Sequence, residues 1–412
     1  MLSYTDRQVL SLLVDPVRGD LHISDTQISL LMGTAFAVIY GTAGIPLGRL
    51  ADRISRRNLI LAGVSVWSLG TIGCGLSQDF AEIFGSRIVV GMGEAALAPA
   101  AISLISDYFP PSLRGTAVGF FLSGIAMGNG AAILIGGGVL HGIELGLLAH
   151  TPLAQLAAWR MVFLVIGVPG LLWALVILLI REPVRRATEA LETPGLGDGS
   201  RAASAWSRVV PIYLVLAAAS FVDNAVGAWA PTLLIRQFNR DAAQIGVELG
   251  LLLTVGFGGG VLIGGLLADR AALAGGSARK LLVCFAAALL ILPASLLMNA
   301  SRFDVVLAGV PLYFALSGIV TAVGFSAILD AVPNRSRGLA MAISFFLNVA
   351  LGAGLGPTAV ALAGAHVFSA KQGLGPPLVM TVAGGYLIAL MALCAAVPRF
   401  RQPLALNSSR SP

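Results

Sequence analysis

The sequence predicts an all-α membrane protein made of two pseudo-symmetric six-helix bundles, on three observations. Hydrophobic residues make up 57% of the 412 residues and charged ones 11%, with a mean hydropathy of +0.88. A soluble domain carries about 25% charged residues, so this surface must face lipid over most of its area. The apolar residues also gather into stretches of the length, about 20 residues, that a helix needs to cross a bilayer. Finally, the chain is written twice. Gly-Arg-Leu-Ala-Asp-Arg at 48–53 returns 217 residues later as Gly-Leu-Leu-Ala-Asp-Arg at 265–270. The same offset carries Asp6 onto Asp223, Gln27-Ile28 onto Gln244-Ile245, Gly33 onto Gly250 and Gly41 onto Gly258. After a longer loop the offset becomes 223, mapping Arg56-Arg57 onto Arg279-Lys280, Asp107 onto Asp330, Pro110 onto Pro333 and Arg114-Gly115 onto Arg337-Gly338. Two repeats that rock about a shared midline site are the build of a secondary transporter.

In order, the spanning stretches are 27–49, 58–78, 81–106, 113–140, 158–180, 208–235, 244–268, 280–299, 303–330, 338–363 and 376–398. The repeat requires a twelfth at the front to match 208–235. Residues 1–17 are what the sequence shows of it, so a truncated first helix is expected, its full form needing roughly a dozen further residues upstream. Residues 1–180 are then the N-terminal six-helix bundle, 181–207 a cytoplasmic linker, 208–398 the C-terminal six-helix bundle and 399–412 a cytoplasmic tail. Helix five lacks proline over 119–138, whereas Gly352-Ala-Gly-Leu-Gly356-Pro357 predicts a kink in helix eleven. The 50 glycines suit close helix packing in a bilayer.

Orientation follows from the basic residues. One set of loops and the tail hold Arg49, Arg53, Arg56, Arg57, Arg114, Arg181, Arg185, Arg186, Arg201, Arg208, Arg270, Arg279, Lys280, Arg335, Arg337, Arg399, Arg401 and Arg410. The other side holds only Arg18, Arg160, Arg236, Arg240, Arg302 and Lys371. The richer face is expected to be cytoplasmic, with both termini on it. Lys280 and Lys371 are the only lysines, an arginine bias that fits a GC-rich bacterial genome and places the protein in the inner membrane. The net charge of +6 lies in short loops, so it is not a nucleic-acid footprint.

Charges inside spans are costly and usually face a cavity or a partner. Arg87 and Glu94 stand seven residues apart, on one helical face and about 10 Å apart along the axis. Gly91 and Gly93 lie between them and admit a neighbour. The repeat copies neither charge, since offset 223 places Val310 and Ser317 there, so the pair reads as chemistry rather than architecture. Asp6 and Arg7 project about 100° apart, which suggests Asp6 facing a cavity and Arg7 reaching Glu94. An acid whose partner changes with conformation can load a proton on one side and release it on the other. Asp223, the repeat mate of Asp6, and Asn129 are further candidates for the cavity wall. In the loop after helix two, Asp52 is placed to meet helix ends and Arg114, locking that face shut, with Gly48 allowing two helices to approach.

Gly48-Arg-Leu-Ala-Asp52-Arg53-Ile-Ser-Arg56-Arg57 resembles the signature loop of the major facilitator superfamily, and 265–280 repeats it. Tyr4-Thr-Asp6-Arg7, Ser24-Asp-Thr-Gln-Ile and Arg87 followed by Gly91-Met-Gly-Glu94-Ala are similar to the spinster-like branch. That resemblance implies the major facilitator fold, with proton coupling at Asp6 and Glu94 and substrate binding by Arg87 and Glu94 with Arg7 alongside; Asn129 and Asp223 join the expected substrate site as polar groups inside spans. It also implies a conformational lock of Gly48, Asp52, Arg53, Arg56, Arg57, Arg114, Asp269 and Arg270. The branch's eukaryotic members carry lysophospholipids and sphingosine phosphates, which points to an amphiphilic, lipid-like substrate. The alternatives are an uncoupled facilitator or a drug or organic-anion transporter of the same fold. No nucleotide-binding loop, metal-ligand spacing or nucleophile constellation is written in the chain. The expectation is therefore no enzyme, no metal and no cofactor beyond a proton gradient. The expected partners are a small solute, protons and the bilayer, with the chain acting as a monomer.

Overall fold

The computed structural model describes residues 2–51, 53–183, 199–332, 337–369 and 372–401, and they are helical without strands. Twelve helices are numbered along the chain. In the first bundle, α1 comprises Leu2–Gln8, a 3₁₀ turn Val9–Ser11 and Val14–Leu21. Next, α2 comprises Asp25–Ser29, a π-helical turn Leu30–Thr34 and Ala35–Ala51. They are followed by α3 (Arg56–Leu76), α4 (Phe80–Ala95 continued by Leu97–Tyr108), α5 (Pro111–Glu144) and α6 (Ala158–Ile177). The second bundle holds α7 (Gly199–Phe238), α8 (Ala242–Gly275), α9 (Ser277–Leu296) and α10 (Phe303–Ala331). It ends with α11 (Arg337–Leu347, a π-helical turn Asn348–Ala353 and Gly354–His366) and α12 (Gly375–Arg401). Among the described residues, ten helices are long and apolar enough to cross a membrane. Their outward faces are oily: Leu172, Val255, Leu262 and Met391 are 60–71% exposed.

Short polar side chains start the helices. Ser24 and Gln27 close a reciprocal capping box on α2. Ser55, Asp79 and Asp241 accept backbone N–H bonds at the starts of α3, α4 and α8. The expected 181–207 linker is shorter in the structure, because α7 already begins at Gly199. Residues 202–206 (Ala-Ala-Ser-Ala-Trp) have no helix breaker and extend the helix backwards. Of the cysteines, Cys74 and Cys284 are buried, while Cys394 lies on the exposed side of α12.

Prolines account for three of the interruptions. Proline has no N–H, so the carbonyl four residues earlier loses its helical partner. Pro16 does this to Leu12, where α1 breaks between its 3₁₀ turn and Val14. Pro99 does it to Ala95, and α4 breaks at Ala96, one turn from Glu94. Pro357 does it to Ala353, the last residue of the π-turn in α11, the helix in which a kink is expected.

The two bundles meet through bare backbone. A methyl group added at Gly250 would lie 2.8 Å from the Gly130 carbonyl oxygen of α5, and one added at Gly33 would strike the Ala353 carbonyl oxygen of α11. These two contacts are repeat mates, Gly33 with Gly250 and Gly130 with Ala353. A Cβ at Gly246 would sit 2.5 Å from Gly137 Cα, tightening the same α5–α8 crossing. Further cross-bundle bonds lie on this same side, away from the basic loops. Thr34 donates to the Gly354 carbonyl at 2.9 Å and Thr232 to the Ser11 carbonyl at 3.1 Å. Arg236 forks onto both oxygens of Asp25 at 2.8 and 2.9 Å, and its Nε reaches Asp15 at 2.9 Å. This is the conformation in which the face opposite the basic loops is sealed.

A methyl at Gly250 meets backbone atoms that have nowhere to go. Gly250→Ala is expected to raise the free energy of the sealed conformation by about 1–3 kcal/mol. Spin labels at Leu147 and Val367, exposed on the sealed face, should show a longer-distance population in the variant. An unchanged distance distribution would remove the crossing from the account.

Candidate functional site

The charges inside the first bundle converge on α4. Arg7 of α1 donates from Nε to Glu94 Oε2 at 2.7 Å, and its Nη2 donates to the same oxygen. The Glu94 side chain is 1% exposed and that of Arg7 15%. Phe36 and Tyr40 of α2 lie under the guanidinium, with ring centroids 3.8 and 5.2 Å from Arg7 Cζ. Such a contact is worth about 2 kcal/mol when desolvated. Gly91 permits it: a Cβ there would sit 2.9 Å from the Phe36 carbonyl and 3.4 Å from its ring. Removing one partner of a buried pair like Arg7–Glu94 costs about 3–5 kcal/mol, because a charge is left stranded.

Two expected placements are corrected. Arg87 lies on the face of α4 shared with Glu94, yet its Nε and Nη1 donate to the backbone carbonyls of Leu31 and Asp6, at 3.0 and 2.9 Å. The partner of Glu94 is Arg7. Asp6 does not face open space: it is 3% exposed and lies beside Thr71 of α3. The 100° between neighbouring residues sends Arg7 to α2 and α4 and Asp6 to α3. Glu94 Oε1 and Arg87 Nη2 are buried with no hydrogen-bond partner among the described residues. Gly93 serves a different neighbour from Gly91, admitting the α3 backbone, with Gly63 O at 2.6 Å from a Cβ built there.

The second bundle builds the same helix contact without a cation. Half-buried Asp223 of α7 accepts from Tyr313 Oη at 2.6 Å and from Ser317 Oγ at 2.6 and 2.8 Å. Tyr386 of α12 donates to Ser317 at 3.0 Å. Ser317 is the repeat mate of Glu94, and Asn224 that of Arg7. One half thus joins its first and fourth helices through an ion pair, the other through neutral hydroxyls. The side chain of Asn129 lies outside the described residues.

The basic face carries a separate network. Arg56, 2% exposed, pairs with Asp107 of α4 and, from Nε at 2.8 Å, with Glu182 just beyond α6. Glu182 also accepts from the backbone N–H groups of Arg56 and Arg57 and from the Ser55 hydroxyl, at 3.2, 2.8 and 2.9 Å. It caps α3 with a charge, where the helix dipole favours one. Lys280 and Asp330 repeat the pair at 2.7 Å, one residue later in register than the sequence repeat places it. Of the other expected lock residues, Asp52 and the Arg114 side chain lie outside the described residues, and Arg53, Asp269 and Arg270 are exposed. A Cβ at Gly48 would find only Pro99 at 4.0 Å, so close approach is not what Gly48 provides in this conformation.

A family model described as the Major Facilitator Superfamily matches residues 1–357, and the chain belongs to that family. It resembles the crystal structure of a bacterial homolog of the human lysosomal transporter spinster, in an inward-facing, occupied conformation. That likeness has a TM-score of 0.73 and 25% identity, over 97% of this chain and 92% of that one. Among curated proteins, it is 29% identical to an MFS-type efflux pump of Mycolicibacterium smegmatis, over 98% of this chain and 91% of the relative. It is 28% identical to a probable L-galactonate transporter of Escherichia coli, over 76% of this chain and 70% of the relative. The chain is therefore a multi-pass membrane transporter of the alternating-access kind, not an enzyme.

Four residues that sequence patterns passed over belong to these sites: Phe36, Tyr40, Thr71 and Glu182. Glu182 gives a pH-dependent handle. Burial would raise its carboxyl, but the Arg57 N–H, the Arg56 guanidinium and the Ser55 hydroxyl hold it down to about 2. A group lowered on folding stabilises above its unfolded value, about 4.3, and loses that contribution as pH falls toward 2. Melting temperature should therefore drop as pH falls from about 5 to about 3. Glu182→Gln should melt lower at neutral pH and follow pH less steeply; an equal slope would show that Glu182 anchors nothing.

Proposed function

We propose that the protein is a proton-coupled secondary transporter of a small amphiphilic, lipid-like organic solute, with the basic face cytoplasmic in a bacterial inner membrane. The bundles 1–180 and 208–398 rock as monomeric halves about the midline. The observation that carries the reading is the buried Arg7–Glu94 pair, whose second-bundle counterpart, Asp223 with the hydroxyls of Tyr313 and Ser317, has no cation among the described residues. A proton on the partnerless Oε1 of Glu94 cancels the charge that holds Arg7. A buried guanidinium that loses its carboxylate is costly in this setting, which favours an anionic group of the solute beside it or a movement of α1. Asp6, on the same helix and bonded through its carbonyl to Arg87, is the second proton carrier. Arg7, Arg87, Glu94, Asn129 and Asp223 form the solute site. Gly48, Asp52, Arg53, Arg56, Arg57, Arg114, Asp269 and Arg270 bias closure of the basic face.

The resemblance to the spinster-like branch, whose eukaryotic members carry lysophospholipids and sphingosine phosphates, is the support for a lipid-like solute. The efflux pump and the galactonate transporter support a second reading, a drug or organic-anion carrier, with or without protons. Proteoliposomes with an imposed pH gradient decide between them, offered a lysophospholipid, a sugar acid and a cationic dye in turn. Wild-type flux should rise with the gradient for the lysophospholipid. Glu94→Gln should lose the pH dependence and at least about tenfold of the driven flux, a floor of about 1.4 kcal/mol that lies below the cost of a broken buried pair. Wild-type rates and pH dependence in that variant would end the proton assignment, and flux of the sugar acid alone would end the lipid one.

A further inference from the structure

Phe36 and Tyr40 have no part in the proton and solute chemistry above, yet they are the apolar floor beneath Arg7. Their rings are 5.2 Å apart and tilted by 31°, so they form one continuous shelf on α2 rather than two separate contacts. Phe36 is 1% exposed and is fixed from below by the glycine at 91, where α4 leaves no side chain in the way. Tyr40 adds a phenol within reach of the guanidinium. Around Arg7 the titratable and charged groups are Asp6 on α1, Tyr40 on α2, and Arg87 and Glu94 on α4, with Cys74 of α3 behind Asp6. Arg87 is tied to two carbonyls and is no substitute for Arg7.

We propose that Phe36 and Tyr40 are positioning residues, an aromatic shelf that seats Arg7 on Glu94 and keeps its charge in the site when Glu94 is neutralised. The inference rests on the reading of Glu94 as a proton carrier only for its consequence, not for the shelf itself. An aromatic face attracts a cation whatever the charge of the nearby acid. Without the shelf, less holds Arg7 against α4 once the acid is neutral. With it, Arg7 stays as the receiver for an anionic group, so proton arrival and anion capture occur at one address.

The test uses full-length protein with Phe36 replaced by phenylalanines bearing one, two or three ring fluorines. Fluorine drains the negative ring face while keeping the shape. Melting temperature should fall stepwise with fluorine number when Arg7 is present and stay flat in an Arg7→Met background. Parallel series in both backgrounds would overturn the shelf, and this arm needs no proton coupling. In the second arm, spin labels at Leu113 and Leu339, exposed on the basic face, report the gap between bundles in lipid as pH is varied. Cys74, Cys284 and Cys394 are replaced by Ala in that background. The pH at which the gap changes should rise stepwise with fluorine and, for Phe36→Leu, by about tenfold in proton concentration, with Tyr40→Phe closer to wild type than Tyr40→Leu. A midpoint indifferent to fluorine would refute the role of the shelf in the switch. A wild-type pH response in Glu94→Gln would instead refute the proton reading, and the melting series would still decide the shelf.

Discussion

The structure depends on two places where the backbone of one bundle touches the backbone of the other. Gly33 lies on the Ala353 carbonyl and Gly250 on the Gly130 carbonyl. In lipid there is no hydrophobic force between helices, so closeness of approach and the polar contacts it brings supply the adhesion. A side chain at any of these glycines holds the bundles apart. The ion fork of Arg236, the hydroxyl bonds of Thr34 and Thr232 and the sealed face all follow from that approach. Because the two contacts are repeat mates, the seal is symmetric and can release as one event. Packed interfaces of this kind have two states rather than a continuum.

Against that symmetry, the first bundle carries an ion pair where the second carries hydroxyls. Glu94 sits one turn before the break in α4, and the segment after the break holds Asp107, the partner of Arg56. The pair and the basic-face network are therefore on the same helix, separated by a joint. Arg7 is likewise on the short first segment of α1, ahead of the break before Val14. Both partners of the ion pair lie next to interrupted helix, where a small rotation costs least in lost hydrogen bonds.

Composition, period and repeat were enough to read the class, the bundle count and the charged residues that meet at α4, because charges in a lipid-immersed helix stand out from their background. The partnership of Arg7 with Glu94 followed from helical geometry. The buried place of Asp6 and the turn of Arg87 toward carbonyls did not, since both depend on which backbone groups the breaks at Leu12 and in α2 leave available. Phe36 and Tyr40 were illegible for the opposite reason: an aromatic residue in an apolar span looks like every other packing residue. Glu182 hid in a stretch read as linker, where only the fold shows that α3 begins against it.

Pro357 leaves the Ala353 oxygen without an N–H from its own helix, and the Cα of Gly33 is what covers it. While the bundles adhere, that oxygen is shielded by a glycine carbon; once they part, it faces hydrocarbon or solvent. In hydrocarbon such an orphan is penalised by several kcal/mol, so the crevice has to wet as it forms. Hydration and separation become a single step at this point. The ease of unsealing is then governed by water activity as well as by charge, and a dehydrated bilayer would hold the molecule shut.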